Sequence, residues 1–316
     1  MPVQLIPLDE SRFDAWLIAT RERLIRLRQG SRMLLGDDAV AHADAFLAEL
    51  LPDGSATETS LILTIVDDGT EAPGEIGTVW LAANDGILFV VDLAFSTAPD
   101  EGQRDELFDA LTALVTRQGV HRLSMALYAT DADGHAFLQG RGFELASMQM
   151  LLEPLPGRDV APRVQLRRMT PERFRTFAAY SEAAFADDLV ASGRYSAEAA
   201  ATESHRQMTL ELPDGVDSSG QMLFTAHADG DEVGILWLGE RTRDVRPHVF
   251  VLDIEVAEGH RRRGHGREIM LAAEQAARQV GAESIGLHVF GFNAGAIALY
   301  ESLGYRRVEQ RFLRSV

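Results

Sequence analysis

The chain repeats itself once, at a nearly constant displacement, and this repeat limits what it can fold into more than any other feature. "QL" at Gln4-Leu5 recurs at Gln165-Leu166, and "LPDG" at Leu51–Gly54 recurs at Leu212–Gly215. "IGTVWL" (Ile76–Leu81) is answered by "VGILWL" (Val233–Leu238), "VVDLAF" (Val90–Phe95) by "VLDIEV" (Val251–Val256), and "RGF" (Arg141–Phe143) by "LGY" (Leu303–Tyr305). The matches keep their order, and the displacement stays between 157 and 162 residues. Such a period is too long for a solenoid and suits two tandem domains of one fold. Between them "EPLPGRDVAPR" (Glu153–Arg163) holds three prolines and no periodicity, as a linker does. The expected organisation is a domain at 1–153, a linker at 154–163 and a second domain at 164–316.

Each copy reads as two helices, several strands, one long helix, a strand, a short helix and a last strand. In the second copy, "SAEAAATESHRQMTLEL" opens with Ser196 and Glu198 in the manner of a capping box. "QMLFTAHADGDEVGILWLGE" forms a hairpin turning at Asp229–Asp231, and "HVFVLDIEV" (His248–Val256) is a β-rich strand. Ile269, Ala273, Ala276 and Val280 recur at helical spacing until Gly281 stops the helix. "SIGLHVF" is the next strand, and "NAGAIALYESLGY" is a short helix ended by Gly304. The alternation predicts an α/β (α+β) fold: in each copy a mixed, mostly antiparallel sheet flanked by helices.

With no cysteine among 316 residues, the sequence excludes disulfides, thiolate metal sites and a cysteine nucleophile. It shows no signal peptide and no apolar run near the ~20 residues that span a bilayer, so a soluble, cytoplasmic protein is expected. The net charge of −18 is unevenly divided. Residues 1–153 carry 10 arginines against 25 carboxylates, residues 154–316 carry 20 against 23, and there is no lysine. So acidic a surface repels nucleic acid and anionic lipid, and a polyanion could bind only at a local basic island.

"HRRRGHGRE" (His260–Glu268) is that island. A strand, a glycine-bearing basic turn and a long helix present unpaired backbone N–H groups where the helix dipole favours an anion. Gly264 and Gly266 let a ligand approach the backbone, and Arg261, Arg262, Arg263 and Arg267 can add charge-assisted hydrogen bonds. Neither the Lys-Ser/Thr pair of a Walker loop nor the spacing of a Rossmann turn is present.

Arg261-x-x-Gly264-x-Gly266 after "LDIEVAEGH", with "LHVFGFNAGAIALYESLGY" downstream, resembles the GNAT superfamily of acyl-CoA N-acyltransferases over roughly the last 65 residues. The resemblance implies acetyl-CoA as acyl donor, with its pyrophosphate on Arg261–Arg267, His265 included. Its pantetheine arm would lie along Ile254, Glu255 and Val256, with Asn293 lining it. It further implies direct attack by a primary amine of a small molecule or peptide. Tyr300 would be the acid that protonates the departing thiolate, and His288 the base, with Glu255 the second candidate. Asp253 and Glu255 alternate with apolar neighbours and so share a strand face. The glutamate of histone-acetylating members is absent, because Phe250 stands in its place. No metal is expected, and the sequence leaves the acceptor and oligomeric state open. A mycothiol-synthase-like enzyme and a non-catalytic acyl-CoA-binding scaffold are the rival readings.

In the first copy Gly102, Gln103 and Arg104 stand opposite Gly264, His265 and Gly266, among Asp100, Glu101, Asp105 and Glu106. Leu138 replaces Tyr300 and Asp131 replaces Asn293. This copy resembles a degenerate GNAT domain that keeps the core (Leu107, Leu111, Leu114, Val115) and has lost the cofactor site. Either it walls the acceptor cleft and attracts cationic amines, or it is a structural partner with a solubilising surface. Trp80 and Trp237 match and are expected in the core.

Overall fold

The computed structural model describes residues 3–69, 74–84, 86–117, 119–158, 163–193 and 195–316. The elements run β1 (Val3–Pro7), α1 (Phe13–Gly30), α2 (Gly36–Leu50), β2 (Ser60–Asp67), β3 (Gly74–Asn84), β4 (Ile87–Phe95), α3 (Glu101–Arg117), β5 (Arg122–Tyr128), α4 (Ala132–Leu138) and β6 (Glu144–Leu152). The second copy repeats them as β7 (Gln165–Arg168), α5 (Pro171–Ala191), α6 (Ala197–Glu211), β8 (Gln221–Ala228), β9 (Asp231–Arg243), β10 (Arg246–Val256), α7 (His265–Gln279), β11 (Ser284–Phe290), α8 (Ala294–Leu303) and β12 (Arg306–Ser315). The fold is the expected mixed sheet with helices on its faces. Strands β1 and β7, which the sequence pattern did not mark, precede the helices. They are four or five residues long and half-exposed, and such short edge segments carry no apolar alternation.

Two compact units result, and their boundaries differ from those read in the sequence. One holds Met1–Ala146 with Val308–Val316, the other Ser147–Arg307. The reason is an exchange of last strands. From Glu309 to Ser315, β12 pairs antiparallel with β5, and Phe312 packs on the first unit's core. Reciprocally, β6 pairs with β11 from Ser147 to Leu152, where it is buried almost continuously. The strand orders are β1-β2-β3-β4-β5-β12 and β7-β8-β9-β10-β11-β6. Part of the 154–163 segment is tied down, since Leu155 N–H donates to Glu283 O and Arg158 pairs with Glu274 at 2.6 Å; residues 159–162 lie outside the described ones.

The helices cover the sheets for the reason their apolar stripes predict. In the first unit α1 and α2 enclose Trp80 with Trp16, Leu24 and Leu47, while Leu107, Leu111, Val115 and Phe137 from α3 and α4 close the opposite core. In the second, Phe177 and Leu212 join Trp237, and Ile269, Met270, Ala273 and Ala277 form the buried face of α7. The two copies agree in detail. Trp16 meets Trp80 edge-on at 5.5 Å, as Phe177 meets Trp237 at 6.0 Å. Each sheet tryptophan donates its indole N–H to the first residue of the preceding strand, Ser60 or Gln221. Ser196 caps α6 by accepting from Ala199 N–H, so Glu198 falls one residue short of the position that would complete a capping box.

Strand exchange makes truncation asymmetric. Ending the chain after Arg307 is expected to leave β10 amides protected against hydrogen exchange while β5 loses protection, although no residue of the first copy is removed. Unchanged protection of β5 would contradict this pairing.

Candidate active site

In the second unit β10 and β11 run parallel only from His248–Val251 against Ser284–Leu287. Past that point β10 continues five residues to Val256 and β11 three residues to Phe290, unpaired with each other. Each stays bound to its outer neighbour, β10 to β9 as far as Val256 and β11 to β6 as far as Phe290. The strands therefore diverge. A register shift between Val251 and Asp253 turns β10 at the point of parting. Into the divergence opens a cavity of about 410 Å³, a size suited to a small ligand.

Its walls come from α5, α6, β10, β11 and α8. His288, Asn293, Tyr300, Asp253 and Ile254 line it, together with Ser181, Phe185, Asp188, Tyr195 and Glu211. The structure thus brings together Tyr300, His288, Ile254 and Asn293 as the sequence suggested. Glu255 lies outside the lining, its carboxylate accepting from the Tyr180 hydroxyl and from Arg261, each at 3.2 Å. Asn293 caps α8 by accepting from Ala296 N–H at 3.2 Å, and so fixes the helix that carries Tyr300. The Tyr300 hydroxyl is pushed up to about 12 by burial and, secondly, by the charge of Asp253, so the phenol is protonated at neutral pH. His288 is half-buried, with its ring edge-on to Phe290 at 5.0 Å.

Sequence reasoning set Asp253 behind Glu255. Its Oδ2 accepts from Ser181 Oγ at 2.6 Å, and among the described residues no cation pairs with it. Burial raises its pKa to about 6; the Ser181 hydrogen bond opposes the shift, and Glu255 and Asp188 add to it. Phe250 lines the cavity wall where a catalytic glutamate is absent.

Beyond β10 the arginine turn is exposed. Arg262 and Gly264 have left-handed backbones, with φ of 59° and 87°. No side chain caps α7, whereas Thr170, Ser196 and Asn293 cap the other helices of this unit. Arg262 and Arg263 project with no partner among the described residues. Arg261 folds back, donating to Val256 O at 3.0 Å, and Arg267 donates to Ser302 Oγ at 3.0 Å. His260 and His265 face each other with ring centroids 5.9 Å apart. A Cβ on Gly266 would meet Leu299 at 3.4 Å, an ordinary contact.

The first unit is built differently at the same place. Asp100 and Gln103 satisfy each other's backbone N–H groups at 2.8 Å, so the start of α3 is already capped. Arg141 binds Glu101 and Asp105 there at 2.7 and 2.6 Å, leaving carboxylates where the second copy has arginines.

Comparison with known proteins agrees with this geometry. Residues 184–305 match the model of the Acetyltransferase (GNAT) family. The uncharacterized N-acetyltransferase YycN of Bacillus subtilis is 29% identical over 147 residues, 46% of this chain and 94% of that protein. Its crystal structure aligns at 30% identity over 45% of this chain and 92% of that one, with a TM-score of 0.43. Streptothricin acetyltransferase of Streptomyces lavendulae is 36% identical over 92 residues, 29% of this chain and 48% of that protein. A GCN5-related N-acetyltransferase from Sphaerobacter thermophilus shares the fold across 99% of this chain and 96% of its own, with a TM-score of 0.53 at 16% identity. The chain belongs to the GNAT acetyltransferase family through its second copy, and the fold of that copy is repeated in the first. Among the described residues no helix is long and apolar enough to cross a membrane, and no His, Asp or Glu group could hold a metal ion.

A carboxylate whose pKa is raised by the fold costs stability when ionised, and the cost disappears as pH falls below the unfolded value near 4. Asp253→Asn is therefore expected to stabilise the protein at pH 7.5 by about 1–3 kcal/mol. Denaturant unfolding should show that gain closing between pH 6 and 4. A destabilised variant would contradict the assignment.

Proposed function

We propose that the second copy transfers acetyl from acetyl-CoA to a primary amine by direct attack in a ternary complex. The observation that carries this reading is the parting of β10 from β11 beyond Val251 and Leu287, beside an uncapped basic helix start. Acetyl-CoA supplies the thioester. Backbone amides of Gly264, His265, Gly266 and Arg267 would hold its pyrophosphate, as the first turn of a helix holds an anion, with Arg262 and Arg263 adding charge. Arg261, turned onto Val256 O and Glu255, would brace the turn and meet the phosphates from its side. The backbone of Ile254, Glu255 and Val256, unpaired on the side facing β11, would take the pantetheine amides, with Asn293 across the cleft.

Attack on the thioester needs a neutral amine, a hydrogen bond to the developing oxyanion and a proton for the thiolate. A strand amide just past the register shift, on the edge that β11 leaves unpaired, suits the oxyanion. Tyr300, buried and protonated, supplies the thiolate proton. His288, in the same cavity, accepts the amine proton directly or through water. With its carboxylate engaged by Arg261 and Tyr180, Glu255 acts by orientation and is the weaker base candidate.

Amine-dependent release of free CoA from acetyl-CoA tests the reading. Tyr300→Phe should lower kcat about 10²–10⁴-fold while acetyl-CoA affinity is kept. Turnover unaffected by this change would remove Tyr300 from the chemistry, and no CoA release with any amine would overturn the reading.

A further inference from the structure

The first helices of the two copies make matching contacts at matching positions. Phe13 underlies Gly54 as Phe174 underlies Gly215, and Trp16 meets Trp80 as Phe177 meets Trp237. A displacement of 161 therefore holds along α1 and α5, and it pairs Thr20 with Ser181, Arg23 with Ala184 and Arg28 with Leu189. The strands match as well. Asp92 faces Trp80 across a register shift, as Asp253 faces Trp237, and the parallel pairing of β4 with β5 also stops at Val90 and Met125.

In the first copy this space is full. Arg23 donates to Asp92 at 3.0 Å, to Asp131 at 3.1 Å and to Leu93 O at 2.6 Å, with side-chain exposures of 15%, 4% and 8% for the arginine and the two aspartates. Arg28, 1% exposed, lies 5.3 Å from the rings of both Phe46 and Tyr128. In the second copy Ala184 and Leu189 leave the place open, and the cavity occupies it. What remains is the aspartate without its cation. No arginine lines this cavity, while Asp188, Glu211 and Asp253 do.

We propose that Asp253 is the residue that selects the acceptor, receiving its ammonium group, before that group gives up the proton that attack requires, where the Arg23 guanidinium sits on Asp92 in the first copy. This deepens the acetyltransferase reading above and rests on it for the word acceptor. The first copy then displays a filled version of the site, with its own arginine as occupant. Selection on this basis favours alkylamines that are ammonium ions at neutral pH over aryl amines that are not. Asp253 acts on specificity; the other charged groups acting on it are Asp188 from α5 and Glu255 from its own strand, and Tyr300 in the same cavity is neutral. An alkylguanidine reproduces the Arg23 head group and is a poor nucleophile, so it should occupy the site without turnover.

The test is calorimetric binding of butylguanidine to the full chain, to Asp253→Asn and to Ala184→Arg, with acetyl-CoA binding measured on each. Wild type should bind the guanidine, and both variants should bind it at least ten-fold more weakly. In Ala184→Arg the new guanidinium would lie on Asp253 as Arg23 lies on Asp92. Acetyl-CoA affinity should be unchanged in both, and that readout also detects a variant that fails to fold. Guanidine affinity unchanged by Asp253→Asn, or amine turnover intact in Ala184→Arg, would overturn the proposal. A guanidine that binds through Asp253 to a chain lacking acetyl-CoA affinity would sink the transferase reading and leave the cation site standing.

Discussion

The parting of two parallel strands governs the rest of this structure. A sheet interior satisfies its backbone by pairing, and unpaired strand edges in a core are costly unless something fills the gap. Here β10 and β11 are each held on their outer sides and separate on their inner sides, so polar backbone faces a cavity. Everything that makes a site is arranged around that opening. The register shift lies at the parting, Tyr300 closes one side from a helix capped by Asn293, and α5 and α6 wall the other.

The first copy shows how the same geometry is closed. Its strands also part, but arginines from α1 occupy the space and the helix start is capped by Asp100 and Gln103. A buried carboxylate left unpaired by removal of its partner costs about 3–5 kcal/mol, so Arg23 is held in place by two aspartates that need it. On the reading proposed above, the ion pairs of the first copy stand where the second copy would hold its ligand. The strand exchange of β6 and β12 places part of each repeat in the other unit, so the copies of the sequence and the compact units are not the same objects.

Much of this was legible in the sequence. The repeat, the hairpin at Asp229–Asp231, helix α7 with its Gly281 stop and the arginine turn follow from periodicity and turn chemistry, which are local. The edge strands β1 and β7 were not legible, because four or five half-exposed residues carry no pattern. Nor was the exchange of last strands, since alternation gives a strand's faces and says nothing about its neighbour. Tyr300, His288 and Asn293 were found through the motif that surrounds them. Asp253 was seen but set behind Glu255, because a two-residue alternation puts both on one face, while the register shift and Ser181 decide which of them reaches the cavity. The signal existed in the repeat itself, where Arg23 faces Ala184 across the displacement and a charge is exchanged for an opening.

The most direct test of this account is the stoichiometry of acetyl-CoA binding by titration calorimetry on the intact chain. One site per chain, weakened when Arg262, Arg263 and Arg267 are replaced by alanine, is the predicted result. Two sites, or one that survives those replacements at full affinity, would contradict the claim that the second copy alone keeps the opening and the helix start that hold the cofactor.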